Sequence, residues 1–553
     1  MRRSRHLRFV LVMPVACALL LAGAGVAQER DAEREIMRAR VEQVRDDPAF
    51  AVGNVRIAAT RMLPAFYERR GFSRAWTEDA TREELLQAIR DTRADGLDPE
   101  DYLLSTLERM QTQAETPDAS LDVRIDYDLL LTDALLRLLY HLMFGKVDPT
   151  SYDPHWNFQR EVHRGDAVEF VQGIIDSGHV RERIEQEKPQ HRIYLGLRAE
   201  LARYRDLRER GGWAQIPPGS KLARGATDPH VAALRARLAA TGDLAAGVPL
   251  DLHAFDADVE SAVKAFQARH GLDPNGSVGP RTFAALNVPI DARIEQLRVN
   301  LERSRWLLHD LDPTFVIVNV AGFQVYYLRD HELTWSARAQ VGKPFRKTPI
   351  FRSAMTYLVL NPTWTVPPGI LAKDTLPAVR RDPSYLKRQR MQVIDHQGRV
   401  VPASSIDWSK AGARGFPYML RQDPGPDNAL GRVKFIFPNS HAVYLHDTPK
   451  RALFEESERA FSSGCIRVEN PLELAALLLE GQQGWDRAAI DRAVAEGKTR
   501  TVTLAKPVPV LLVYLTAWVD RDGKLQFRSD LYGRDPKVTA GLAKEFSVRP
   551  GRP

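Results

Sequence analysis

Apolar and polar positions follow three successive patterns along this chain. From about Arg30 to Arg210 the apolar residues recur at three- and four-residue steps. The clearest case lies between Asp126 and Met143, where Leu131, Ala134, Leu135, Leu138, Leu139 and Leu142 share one helical face and Gly145 stops the run. This stretch carries no chemical motif and reads as a helical scaffold. Gly211-Gly212, Pro217-Pro218-Gly219 and the segment from Gly225 to Pro229 form a linker. Three short helices with Gly-rich turns are expected next: one through Leu234 and Leu238 to Gly242, one through Val259, Ala262, Val263, Phe266 and Gln267 to Gly271, and one through Thr282, Phe283 and Leu286. A bridging helix near Ile294 to Leu308 leads into strand-like runs: "FVIVNVAGFQVYYLRD", broken at Ala321-Gly322, then "MTYLVLNPTWTVP", "RVKFIFP" and "HAVYLHD". "PVLLVYLTAWVDRDGKLQFRSD" reads as a hairpin turning at Asp522-Gly523. Between the strands, about Gly369 to Arg421 is polar, Pro-containing and partly helical. It is too long for an ordinary connection and is expected to be an insertion packed over or beside the sheet.

At 553 residues the chain has room for about three to four domains. Its 44% hydrophobic and 27% charged residues exclude wholesale disorder. The N-terminus changes how the charge is read. Arg2, Arg3, Arg5 and Arg8 precede an apolar run from Phe9 to Ala22 and small residues up to Ala27, the pattern of a secretory leader. Cleavage after Ala27 removes four arginines and no acid, so the formal charge drops from +7 to +3 and calls for no nucleic-acid partner. An uncleaved membrane anchor is the alternative, since Phe9 to Ala27 is nearly long enough to span. Cys17 follows Pro14-Val15-Ala16, which is not a lipobox. The mature chain then keeps a single cysteine, Cys465, which has no partner for an internal disulfide.

The neighbours of that thiol suggest chemistry. His446 ends a strand-like run, Cys465 lies in a Ser462-Ser463-Gly464-Cys465 turn, and Asn470-Pro471 with Glu473 reads as the capped start of a helix. A free thiol ionises near ~8.5, so a nearby imidazole is needed to take its proton or to form an ion pair with the thiolate. Gly464 allows a tight turn whose N–H groups, those of Gly464 and Cys465, can face a developing oxyanion. Cysteine, histidine and a glycine turn together point to acyl transfer, with the acyl group left open. His441, five residues before His446, reads as surface; Asp447 or a backbone carbonyl is expected to orient His446. Metal catalysis lacks support, for there is no HExxH and no cysteine pair, and a Gly-rich nucleotide loop is missing as well.

Two resemblances extend this reading. "VAALRARLAATGDL" and "FDADVESAVKAFQARHGLDPNGSVGPRTFAALN" resemble the peptidoglycan-binding repeat of cell-wall enzymes, although most of the matching residues pack helices or make turns. His446, Ser462-Ser463-Gly464-Cys465 and Arg467 resemble the signature of the L,D-transpeptidase catalytic domain. "VGKPFRKTPIF", "GPDNALGRVKFIFPN" and "YLTAWVDRDGKLQFRSDLYGRD" are similar to its large periplasmic branch. Ser463 stands where many members have a second histidine.

The resemblance implies an α+β multidomain chain. Its parts are a signal peptide (1–27), a helical scaffold (28–225), a three-helix peptidoglycan-binding module (226–290), a β-rich catalytic domain (291–540) with a helical capping insertion at about 369–421, and a tail (541–553). It implies Cys465 as nucleophile, His446 as general base and the Gly464 backbone at the oxyanion; Arg467 is expected to bind a stem carboxylate or to brace the loop, Ser463 to contact substrate, and Tyr444 and Trp364 to line the substrate site or to serve the core. The implied reaction joins two peptidoglycan stems by a 3→3 cross-link with release of a terminal D-Ala. No cofactor is expected, because one amide is exchanged for another. Acylation by carbapenems, a periplasmic location and cell-wall synthases as partners follow from the same resemblance. L,D-carboxypeptidase activity, D-amino-acid exchange, lipoprotein attachment and a non-catalytic wall-binding role are the alternatives.

Overall fold

The computed structural model describes residues 15–547 except 155, 159–164, 218–220, 246, 248–249 and 413–414, with side chains from residue 28 onward. Of the expected leader, residues 1–14 lie outside the described residues, and from Val15 only the backbone is described, as the start of a helix ending at Asp46. Among the described residues no helix is long and apolar enough to cross a membrane.

The chain divides into two compact units: Met1–Asp148 with Arg160–Gln190 and Ala540–Pro553, and Pro149–Gln159 with His191–Thr539. The first is helical. Its longest described helix after the N-terminal one is Leu121–Phe144, which contains the predicted apolar face; Ser120 caps it by accepting the Val123 N–H, and Gly145 ends it at φ 81°. The buried Asp128 carboxylate accepts from the Tyr67 hydroxyl and from the Ala75 and Trp76 N–H groups, which satisfies a charge taken out of water. The C-terminal tail is held as well: the Phe546 ring lies 4.9 Å from the Arg137 guanidinium.

The longer stretch of the second unit, from His191, opens with helix Arg192–Glu209. This helix falls in the stretch assigned from sequence to the scaffold. Its apolar stripe, Tyr194, Leu197, Leu201 and Tyr204, packs on Ile294, Leu297 and Leu301 of helix Ile290–Leu307. The three predicted short helices are His230–Ala240, Ala257–Arg269 and Pro280–Leu286. The buried Gln267 side chain stitches the module together, donating to Asn275, Ser277 and Thr282 and accepting the Gly276 N–H.

Nine strands follow: β1 (Phe315–Asn319), β2 (Gln324–Arg329), β3 (Glu332–Gly342), β4 (Phe351–Leu360), β5 (Val433–Ile436), β6 (Leu445–His446), β7 (Ala460–Ser462), β8 (Ile466–Val468) and β9 (Arg500–Val513). They pair in the order β7-β3-β8-β6-β5-β4-β9-β1-β2, and β2 pairs with β3 again, so the sheet closes on itself. Closure leaves few strand edges unpaired and encloses a core of Val316, Val318, Leu358, Leu360, Phe435, Leu445, Ile466 and Leu512. The expected C-terminal hairpin is shorter than its sequence suggested. Ala517–Val519 pairs with Leu525–Phe527, whereas Pro507 to Val513 belongs to β9, parallel to β1 and antiparallel to β4.

The insertion departs from expectation in a different way. It is not chiefly helical. Trp364–Thr365, Met419–Gln422, Met391–Ile394 and Val400–Val401 form a four-stranded sheet. Short helices Leu376–Arg381 and Tyr385–Arg388 pack beside it around Val366, Val379, Leu386, Val393 and Leu420. Paired Leu360 and Val433 bracket it, and the Asn361 N–H donates to the Arg432 carbonyl.

Candidate active site

The strand register builds the site. Val359, Lys434, His446, Arg467 and Gln340 are successive cross-strand partners on β4, β5, β6, β8 and β3. Cross-strand partners share a face, and neighbours two apart along a strand share it too. Tyr444 and Cys465, each two residues before a member of this row, therefore project from the same face. The intervening row, Leu358, Phe435, Leu445 and Ile466, is fully buried on the other. The alternation Tyr-Leu-His and Cys-Ile-Arg thus turns its apolar member to the core and its reactive members to a cleft of about 360 Å³. The cleft is lined by His446, Cys465, Arg467, Ser463 and Tyr444 on one side and by Trp364, Gly369, Ile370 and Lys373 of the insertion on the other.

His446 is buried, and its Nδ1 lies 2.5 Å from the Asp447 carbonyl oxygen. A carbonyl can only accept, so Nδ1 carries the proton and Nε2 keeps a lone pair. The Asp447 carboxylate takes no part, because it accepts from the Arg432 backbone and guanidinium. Burial first, then the positive charges of Arg467 and Lys434, pull the imidazole down to about 3, against the Asp447 hydrogen bond. Burial also raises the half-buried Cys465 thiol, although a Tyr444 hydrogen bond, Arg467 and Lys434 partly offset it. At neutral pH the pair therefore rests as thiol and neutral imidazole, not as an ion pair.

The Ser462–Cys465 loop is braced from within. Ser462 Oγ donates to the Cys465 carbonyl at 2.6 Å and accepts the Gly464 N–H at 3.0 Å, while the buried Thr348 hydroxyl donates to the Gly464 carbonyl at 2.8 Å. The Gly464 N–H, one of the two oxyanion donors expected from the sequence, is engaged inside the loop. The Cys465 N–H has no acceptor among the described residues. Gly464 adopts φ 122°, a conformation that side-chain-bearing residues rarely take.

Arg467 donates through Nη1 to Gln340 at 3.1 Å, and its buried Nε has no partner among the described residues. His441, expected at the surface, is half-buried and lines the cleft, its ring 5.3 Å from that of Phe351. Asn470 is not a side-chain cap. It sits at φ 47° with no capping hydrogen bond, and Glu473 accepts the Trp335 indole N–H instead. Sequence reasoning missed Lys434, whose signal was a lone cation in the apolar run Val-Lys-Phe-Ile. It also missed Arg346, which lines the cleft from the β3–β4 connection.

Comparison with known proteins fits this geometry. Residues 313–493 match the family described as L,D-transpeptidase catalytic domain, 227–286 that described as "Putative peptidoglycan binding domain", and 61–201 that described as Scaffold domain. A Haemophilus influenzae protein named "Putative L,D-transpeptidase" is 38% identical over 247 residues, 44% of this chain and 49% of its own length. The chain thus spans about half the length of the curated relative it matches. Among solved structures, an L,D-transpeptidase from Xylanimonas cellulosilytica is 16% identical, covering 54% of this chain and 99% of its own, with a TM-score of 0.18. L,D-transpeptidase 1 of Mycobacterium tuberculosis is 15% identical, covering 37% and 67%, with a TM-score of 0.15. With the expected signature residues seated in one cleft and a match to the peptidoglycan-binding description before it, residues 313–493 carry an L,D-transpeptidase catalytic domain.

Proposed function

We propose that this chain forms 3→3 cross-links in peptidoglycan through a thioester on Cys465. The observation that carries the reading is that Cys465 and His446 project from one sheet face into a single cleft walled by the insertion. Cys465 attacks the carbonyl of the third stem residue as its proton passes to His446 Nε2, and the Cys465 N–H steadies the oxyanion. The C–N bond breaks, and the terminal D-Ala amine leaves with that proton. The side-chain amine of a second stem's diamino acid then attacks the thioester, gives up a proton to His446 and restores the thiol. Arg467, Ser463, Tyr444 and Trp364 contact the peptide, and the insertion keeps water from competing with the acceptor amine. Peptidoglycan lies outside the cytoplasmic membrane, so the reading places the protein in the periplasm, exported by its leader and held to the wall by residues 227–286. Cell-wall synthases are its expected neighbours, and carbapenems are expected to acylate Cys465.

Mass spectrometry of tetrapeptide muropeptides incubated with the protein tests this. A dimer lacking one D-Ala, absent with Cys465→Ala, is the expected product. A tripeptide monomer alone would replace cross-linking with carboxypeptidase action, and intact substrate would overturn the catalytic reading.

A further inference from the structure

Arg346 stands in the cleft without a part in the chemistry described so far. It lies in the short connection between β3 and β4, where Gly342 permits the tight turn: a Cβ at 342 would collide with the Arg346 carbonyl oxygen. Its guanidinium joins two separate pieces of the site. Nη1 donates to Asp374 of the insertion and to Ser463 of the nucleophile loop, both at 2.8 Å, and Nη2 donates to the second Asp374 oxygen at 3.4 Å. These bonds occupy three of five N–H groups. Nε and one hydrogen of Nη2 have no acceptor among the described residues, and together they form the side edge of the guanidinium, a fork that fits a carboxylate.

The surroundings favour an anion at that edge. Arg467 and Lys373 also line the cleft. Between Trp364 and Gln422 the insertion carries ten lysines and arginines against four aspartates. Three of those aspartates are paired within the insertion, to Arg388, Arg399 and Lys410, and the fourth is Asp374 itself. Ser463 stands two positions before Cys465, so the guanidinium is anchored beside the nucleophile. In a donor whose leaving group is its last residue, the terminal carboxylate is separated from the departing nitrogen by one carbon. A group that recognises it must sit next to the attacking sulfur.

We propose that Arg346 is a specificity-determining residue that reads the C-terminal carboxylate of the acyl donor through its Nε/Nη2 edge, while Asp374 and Ser463 hold the other side of the guanidinium in place. This rests on the transpeptidase reading above and adds to it the reason for choosing a donor that ends at the leaving residue.

The test compares binding of a tetrapeptide stem and its C-terminal amide by calorimetry to the full chain carrying Cys465→Ala. The acid is expected to bind at least about tenfold more tightly, as a charge-assisted pair confers. Arg346→Gln should abolish that preference, Arg346→Lys should keep part of it, and Asp374→Asn should retain it. Equal binding of acid and amide, survival of the preference in Arg346→Gln, or a uniform loss for both peptides in Arg346→Gln and Arg346→Lys alike would overturn the assignment. Equal kcat/KM for acid and amide in the unmodified protein would overturn it while leaving the transpeptidase reading intact. Binding of neither peptide, with no transfer by the unmodified protein, would overturn both.

Discussion

At the scale of single residues, electrostatics set the protonation states that Cys465 and His446 bring to the proposed chemistry. Burial disfavours the charged form of each, and two cations beside the imidazole disfavour its protonation further. On the proposed mechanism the proton moves during attack, not before it. Iodoacetamide labelling of Cys465 is expected to be slow at pH 7 and to titrate above the ordinary thiol value of ~8.5. An ion pair would instead give a plateau from acid pH upward. Lys434→Met removes a charge that favours thiolate, so it should move the labelling curve to still higher pH. His446→Ala should lower the acylation rate by roughly 10²–10⁴ while leaving the protein folded, as intact-mass kinetics would show.

At the scale of elements, the loop that carries Cys465 depends on one backbone angle. A Cβ on Gly464 would meet only the Lys347 carbonyl, at 3.7 Å, so Gly464→Ala is penalised by conformation and not by collision. The expected cost is about 1–2 kcal/mol of stability, with a larger loss of acylation because the Cys465 N–H shifts. Denaturant unfolding beside acylation kinetics separates the two effects. Much of this element-level structure was legible in the sequence. The alternations Val-Lys-Phe, Tyr-Leu-His and Cys-Ile-Arg encode a core face and a working face, and a cysteine after a Ser-Ser-Gly turn advertised itself. What alternation could not convey is register. The parallel match of His446 with Arg467 depends on a chain crossing that no local pattern specifies, and the antiparallel match of Lys434 with His446 on a hairpin register. The same limit explains Asn470, where a good capping residue serves a left-handed corner instead. Strands in the insertion were hidden because they are two to four residues long and interrupted by proline and glycine.

At the scale of the whole molecule, acid should loosen the second unit. His270 and His446 are buried there and held well below the ordinary histidine value, His446 at about 3. The unfolded chain takes up their protons first, as pH falls below ~6.5. Stability from this source is therefore intact above that pH and declines by about 1.4 kcal/mol per pH unit for each histidine on the way down to the folded value. Thermal melting of the unmodified protein should fall between pH 7 and pH 5, and His270→Gln should flatten that fall. The insertion offers a further check. It leaves the sheet after Leu360 and re-enters at Val433, and these two residues are cross-strand partners. Replacing 362–431 by a short Asn-Gly turn should leave the strand order and the β-sheet circular dichroism intact, with hydrolysis gaining on transfer. Because the points of exit and return are adjacent, the segment is a cassette. Lineages could lengthen, trade or discard it without rewriting the scaffold beneath, and a protein engineer seeking new acceptors would begin there.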